Sequence, residues 1–95
     1  MTRLGPDANP LSSDDPRVWD ELLEAVGPAS LLVVIESRLG AHLRRRYAAE
    51  DVFQEAVLCA WRDRGKIEWR GARAFRSWLL TVIDNRIRDL AEREG

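Results

Sequence analysis

The sequence has one cysteine, Cys59, and one histidine, His42, among its 95 residues. A single cysteine excludes an internal disulfide and a cysteine-based metal cluster. His42 has no neighbours at a metal-ligand spacing and no catalytic partner, so we expect it to be structural or exposed. The sequence also lacks the paired acid–base groups, activated nucleophile or phosphate-binding glycine loop of an enzyme. We therefore expect no catalytic residues, no metal and no cofactor.

Long hydrophobic runs are also absent. The longest uninterrupted apolar run has six residues, 56–61, and the run over residues 31–35 has five, whereas a membrane-spanning helix needs about 20 apolar residues. The first residues do not show the basic-then-apolar pattern of a secretory signal. We expect no membrane partner and a cytoplasmic location.

Neither sign of charge dominates, since 15 basic and 16 acidic residues give a net charge of −1. The distribution is uneven, because residues 1–40 carry 3 basic and 7 acidic groups and residues 41–95 carry 12 and 9. Residues 66–88 hold 6 basic and 2 acidic groups. This modest basic patch is typical of a surface that faces a polyanion.

The length and the hydrophobic content of 45% suit one small domain. Residues 1–14 are rich in turn-forming types and predict a flexible leader, which leaves a helical domain over residues 15–95. A first helix is predicted over residues 16–26. Asp14 or Asp15 caps it, and Gly27 stops it.

Apolar residues at helical spacing predict three further helices. The second begins after Pro28, tolerates Gly40 and ends near Arg46 or Tyr47. The run over residues 33–35 leaves a strand as the alternative there. The third covers residues 48–64 with Gly65 as its cap, and the fourth runs from residues 72–74 to 92. The prediction is an all-α bundle of about four helices, in which one core includes Trp19, Phe53, Trp61, Phe75, Trp78 and Leu79.

The third helix divides into an apolar and a polar side. The polar side forms one continuous, mostly acidic strip, which contains Asp51, Gln54, Glu55, Leu58 and Arg62. Burial of Phe53 on the other side contributes about 1.5–3 kcal/mol, so that side must face the core. The strip is then free to meet a partner.

The loop after the third helix holds Trp69, Arg70 and Gly71. An aromatic ring, a guanidinium and a flexible residue in one loop suit stacking on an unpaired base and contact with its phosphate. Alternatively, Trp69 folds back and covers the core. Upstream, the basic run over residues 44–46 either complements the dipole of the second helix or contacts nucleic acid.

The fourth helix continues this basic, hydrogen-bonding surface. Arg73 and Arg76 lie at its amino end, beside the loop, and Ser77, Asn85 and Arg88 lie on its polar side. Arg86 falls near the apolar stripe, where it snorkels to solvent or pairs with an acid from another helix.

Together these motifs resemble the second region of bacterial sigma factors, especially the extracytoplasmic-function group. The resemblance covers about residues 31–93. It rests on the Asp51-x-x-Gln54-Glu55 motif and on the Trp69-Arg70-Gly71, Phe75-x-x-Trp78-Leu79 and Asn85-x-x-x-Asp89 spacings downstream. The 95 residues contain no counterpart of the helix-turn-helix domain with which this group reads the minus-thirty-five element.

The resemblance implies a role in transcription initiation with core RNA polymerase and promoter DNA as partners. It implies that Asp51, Gln54, Glu55 and Leu58 dock on the clamp helices of the largest polymerase subunit. It also implies that the loop and the last helix capture bases of the single-stranded non-template strand at the minus-ten element. The DNA-binding residues are then Trp69, Arg70, Arg73, Arg76, Ser77, Asn85 and Arg88.

A protein-interaction module is the alternative function. Such a module keeps the sigma shape but binds only polymerase or an anti-sigma factor, and the acidic first half of the chain favours it. A sigma domain should bind single-stranded minus-ten DNA, whereas a protein-interaction module should not.

Overall fold

The computed structural model describes residues 9–94. This part of the chain contains no strand, and its four helices are α1 Pro16–Ala25, α2 Pro28–Arg44, α3 Ala49–Arg62 and α4 Ala72–Glu94. The predicted all-α fold is therefore confirmed, with helix ends that agree to within a few residues. The strand alternative for residues 33–35 is wrong, because these residues lie inside α2.

Local signals explain where α1 and α2 begin. The Asp15 side chain accepts a hydrogen bond of 3.0 Å from the backbone N–H of Arg17, and Pro16 occupies the first helical position, so this end needs no other cap. Gly27 has a φ of 74°. This left-handed conformation suits glycine and turns the chain sharply from α1 into α2.

Gly40 breaks α2 and is not simply tolerated there. Its φ of 73° and ψ of 172° are not helical, so α2 consists of two helical segments joined by a kink. Leu31, Ile35, Leu39 and Leu43 are nevertheless all buried. In a straight helix, residues four apart drift by about 40° around the axis, which would carry Leu43 away from the side that holds Leu31. The kink at Gly40 changes the direction of the short segment after it, and Leu43 remains in the core.

The connection between α3 and α4, residues 63–71, begins earlier than predicted. The cap of α3 is Asp63, whose backbone N–H donates to the carbonyl of Cys59. The expectation that Gly65 caps the helix is wrong. Gly71, with a φ of 100°, precedes α4, and its carbonyl accepts the first helical hydrogen bond from Phe75 at 3.1 Å.

The core lies among α2, α3 and α4, which pack against one another, while α1 packs with a 3₁₀ turn at Pro10–Ser12. Small residues of α3 let its backbone approach the other helices closely, since Ala49, Ala56 and Ala60 are buried. Within residues 9–94 the buried side chains are all apolar.

An aromatic cluster covers one side of this core, around the amino end of α4. Phe75 is 2% exposed, and its ring centroid lies 6.2 Å from that of Trp19, 6.3 Å from Trp69 and 6.1 Å from Trp78. Trp19 also meets Trp61 edge-on at 5.2 Å. Of the predicted core residues, Phe75 and Leu79 are therefore buried, whereas Trp19, Phe53, Trp61 and Trp78 are half-buried.

The predicted leader falls mostly on residues 1–8, which lie outside the described residues. Residues 10–12 form the 3₁₀ turn, in which the Asn9 side chain accepts a hydrogen bond of 2.9 Å from the backbone N–H of Leu11. Leu11 is 2% exposed and belongs to the core. This part of the predicted leader therefore packs against the helices, because one aliphatic side chain is enough to anchor a short turn.

Candidate functional site

The polar strip predicted on the third helix lies at the surface of α3. Asp51, Gln54, Glu55 and Leu58 are all exposed, and Leu58 is 65% exposed. The opposite side of α3 is buried in the core. The strip therefore presents two carboxylates and an amide around an accessible aliphatic side chain.

A groove of about 280 Å³ runs beside this strip, and we call it the docking groove. It is lined by Tyr47, Asp51, Gln54, Glu55, Leu58 and Arg86, among others. Arg86 reaches across from α4: its Nε donates to Oε2 of Glu55, and its Nη2 lies 3.3 Å from Oε1. The acid partner of Arg86, which the sequence left unassigned, is therefore Glu55.

The outer face of α4 carries four of the predicted DNA-binding residues. Arg73, Ser77, Asn85 and Arg88 are all exposed. Arg73, Ser77 and Asn85 belong to one row of residues spaced four apart, which extends about 18 Å along the helix. Because neither Arg73 nor Arg88 makes an ion pair within residues 9–94, both guanidinium groups are available to an anionic ligand.

Arg76 points elsewhere. Its Nε donates to the carbonyl of Val26 at 2.9 Å, and its Nη2 donates to the Ser30 hydroxyl at 2.9 Å. Both acceptors lie where α1 joins α2. Sequence proximity to Arg73 suggested a common surface, but the three residues of helix from Arg73 to Arg76 turn by about 300°, which sets these side chains about 60° apart around the axis. Arg76 thus fastens α4 to the α1–α2 connection.

The loop residues are less free than the sequence suggested. Trp69 is half-buried and packs against the core beside Phe75. The alternative in which Trp69 covers the core therefore holds for the side of the ring that faces Phe75. Arg70 forms an exposed ion pair with Glu68, with Nη2 and Oε2 3.1 Å apart. An exposed pair of this kind is weak, about 0–1 kcal/mol, so a phosphate can displace Glu68.

One residue of the basic run that ends the second helix, Arg46, contacts the end of α4. Nε of Arg46 lies 3.0 Å from a carboxylate oxygen of Glu94, and the Tyr47 hydroxyl donates to the other oxygen at 2.9 Å. The hydrogen bond to Glu94 raises the pKa of Tyr47 above its ordinary value. These contacts join the end of α4 to the α2–α3 connection and favour the structural reading of Arg46.

A comparison with protein-family models decides the family. The model described as Sigma-70 region 2 matches residues 30–95. The chain belongs to the sigma-70 region 2 family. The match contains all of α3 and α4 and nearly all of α2, and α1 precedes it. Searches of curated proteins and of solved structures found no match.

Membership of the sigma-70 region 2 family places this domain in transcription initiation, with core RNA polymerase and promoter DNA as its partners. Both of the exposed polar surfaces lie within the matched residues. Among residues 9–94, no helix is long and apolar enough to cross a bilayer. The same range holds no group of three or more His, Cys, Asp or Glu side chains that could hold a metal ion.

The region 2 domain has a second groove, of about 550 Å³, between α3 and α4. We call it the Asn85 groove, and its polar lining comprises Glu55, Cys59, Arg62, Asn85, Arg86 and Asp89. At its edge, the hydrogen bond from Arg62 lowers the pKa of Asp63 and raises that of Arg62. Sequence reasoning missed this groove, because residues of α3 and α4 that are far apart in the chain form it.

Proposed function

We propose that this region 2 domain docks on the clamp helices of core RNA polymerase through the α3 strip and holds the non-template strand of the minus-ten element on α4. One observation carries the proposal: two exposed polar surfaces of different charge lie on helices that pack directly against each other. Because the core fixes α3 relative to α4, a partner bound to one surface positions a ligand for the other.

The α3 strip suits a helical protein partner. Leu58 offers an exposed apolar contact, while Asp51 and Glu55 offer negative charge on either side of Gln54. A partner helix with an apolar stripe and basic flanks complements this arrangement. The resemblance of the Asp51-x-x-Gln54-Glu55 motif to the docking motif of extracytoplasmic-function sigma factors supports the clamp helices as that partner.

The α4 surface suits a single DNA strand. Arg73 and Arg88 are exposed cations without ion pairs in the described range, and the Asn85 amide can both donate to and accept from a base edge. Arg70 and Ser77 add hydrogen-bond donors, and Trp69 offers its outer edge. Since Arg76 is bound to the α1–α2 connection, we assign it to the fold. Capture of an unstacked base favours the open duplex without covalent chemistry.

The proposal is tested by incubating the full chain with core RNA polymerase and measuring co-purification. The complex is then titrated with promoter duplexes in which the minus-ten segment is either unpaired or paired. We expect stable association and a preference for the unpaired segment. Association with polymerase without binding to either duplex would instead favour the protein-interaction module, with polymerase or an anti-sigma factor as partner.

Replacement of Trp69 should affect both binding and folding. In Trp69→Ala, loss of a stacked base should cost about 1–3 kcal/mol of DNA binding. Loss of half-buried packing should lower the free energy of unfolding by about 2 kcal/mol, below the range for fully buried aromatics. Trp69→Leu keeps much of the apolar packing but has no aromatic face, so it should fold nearly normally and bind as poorly as Trp69→Ala. Normal DNA binding by Trp69→Leu would remove Trp69 from the site.

Arg88 and Asn85 should give different signatures in DNA binding to the polymerase complex. Arg88→Gln should weaken binding to all sequences and reduce the slope of log K against log salt concentration by about 0.7. Asn85→Ala should leave that slope unchanged and reduce discrimination between bases. Arg93→Gln makes the same charge change at an exposed position in the last turn of α4, outside the proposed DNA surface, and serves as the control. Equal slopes for Arg88→Gln and the unmodified chain would exclude a phosphate contact at Arg88.

A further inference from the structure

The Arg86–Glu55 ion pair lies where the two grooves meet. Both residues line the docking groove, together with Asp51, Gln54 and Leu58, and both also line the Asn85 groove. Glu55 extends from the α3 strip, and Arg86 extends from α4. The pair therefore connects the proposed polymerase surface to the proposed DNA surface.

The two members of the pair differ in exposure to solvent. The side chain of Arg86 is 30% exposed, whereas that of Glu55 is 48% exposed. The guanidinium uses Nε and Nη2 on the Glu55 carboxylate. An Arg86 guanidinium that loses its carboxylate is partly exposed and can bind another anion, and the more exposed carboxylate can be reached by an external cation.

We propose that Arg86 couples polymerase docking to DNA capture. When a basic group of the polymerase engages Glu55, Arg86 is released into the Asn85 groove, where its guanidinium binds a phosphate of the captured strand. This inference rests on the proposed function, because it requires that Glu55 faces polymerase. In the free chain, Glu55 neutralises Arg86 and keeps the affinity for DNA low.

The coupling is reciprocal by linkage. If docking raises the affinity for DNA by some factor, bound DNA raises the affinity for polymerase by the same factor, and factors of about 5 or more are usual for linked sites. Asp89 lines the Asn85 groove three residues after Arg86. Its carboxylate is the competing acceptor, so a DNA phosphate must displace it to produce any gain.

The test uses the full chain and a fluorescent single-stranded oligonucleotide of mixed sequence, with binding followed by anisotropy at several salt concentrations. In the free chain, Glu55→Gln should free Arg86, raise the affinity about fivefold or more and steepen the salt slope by about 0.7. Adding Arg86→Gln should abolish this gain. Glu50→Gln removes one negative charge from an exposed position of α3 that lines neither groove, and it should produce a smaller gain that Arg86→Gln does not abolish.

The polymerase complex provides the second arm. Arg86→Gln should reduce DNA affinity several-fold in the complex and hardly at all in the free chain. Equal effects of Arg86→Gln in the two states, or equal gains from Glu55→Gln and Glu50→Gln, would overturn the coupling while leaving the proposed function intact. If the unmodified complex does not bind single-stranded DNA at any salt concentration, the proposed DNA role and the coupling are both wrong.

Discussion

Asp51→Lys combined with Leu58→Lys is expected to lower the affinity for core RNA polymerase by about 100-fold or more. Each substitution removes a contact of the α3 strip and places a cation against a basic partner, and two such losses of about 1.4 kcal/mol each give that factor. Both positions are exposed, so Leu58→Lys should change the free energy of unfolding by no more than about 0.5 kcal/mol. Asp51→Lys should lower it by about 1 kcal/mol, because Asp51 lies in the first turn of α3, where the helix dipole favours an acid. Co-purification and urea unfolding measure the two quantities.

The matched control is Val33→Lys combined with Glu36→Lys on α2. Val33 is 67% exposed, close to the value for Leu58, and Glu36 is an exposed acid. This pair makes the same changes of charge and polarity outside the α3 strip, so polymerase binding should be nearly unaffected. Normal binding by the α3 variant, or an equal loss in the α2 control, would show that the strip is not the docking surface.

Glu55→Lys is left out of this variant because the structure gives Glu55 a second contact. A lysine there would lie beside Arg86 and disrupt the pair between α3 and α4. The sequence alone placed Asp51 and Glu55 together on a strip that is free to meet a partner. For Glu55, a binding defect of the lysine variant would combine lost docking with altered helix packing.

Phe75→Ala is expected to cause the largest loss of stability, about 3–5 kcal/mol in the free energy of unfolding. Phe75 is 2% exposed, and the rings of Trp19, Trp69 and Trp78 surround it, so truncation leaves a cavity that several large side chains cannot fill together. For a domain of this size the melting temperature should fall by more than about 12 °C. Thermal and urea unfolding, followed by circular dichroism, test this.

Phe75→Leu serves as the partner variant, because it retains most of the apolar volume and should cost less than about 1.5 kcal/mol. A loss of less than about 1 kcal/mol in Phe75→Ala would mean that the aromatic cluster is loosely packed and that the core depends on the aliphatic residues of α2 and α3.

Most of the fold could be predicted because its signals are local. Asp15, Pro16 and Gly27 mark helix ends through backbone chemistry, and apolar spacing identified all four helices. Gly40 was misjudged because the leucines on either side keep a four-residue spacing, and spacing alone cannot reveal a positive φ between them. Leu11 was missed because composition describes the average of a segment, whereas one side chain determines whether a turn is anchored.

The candidate site was less predictable, because it depends on contacts between helices. The α3 strip followed from the helical period, and its exposure confirms that geometry. Arg76 and Arg86 could not be placed in the same way, since their partners lie on other elements, at Val26 and Ser30 and at Glu55. The roles of the predicted polymerase-binding and DNA-binding residues remain predictions.

The wholly apolar core has a consequence for how such a domain can diversify. In the described part of the chain no buried side chain is polar or charged, so surface charges can be exchanged without leaving an unpaired group inside the protein. Under the proposed function, substitutions on the α3 strip would then alter recognition of polymerase, and those on α4 would alter the preferred promoter, at little cost to folding. New specificities are accessible through single surface substitutions, except at ion pairs that join two elements, such as Arg86–Glu55 and Arg38–Asp84, where a change at one position leaves its partner unpaired.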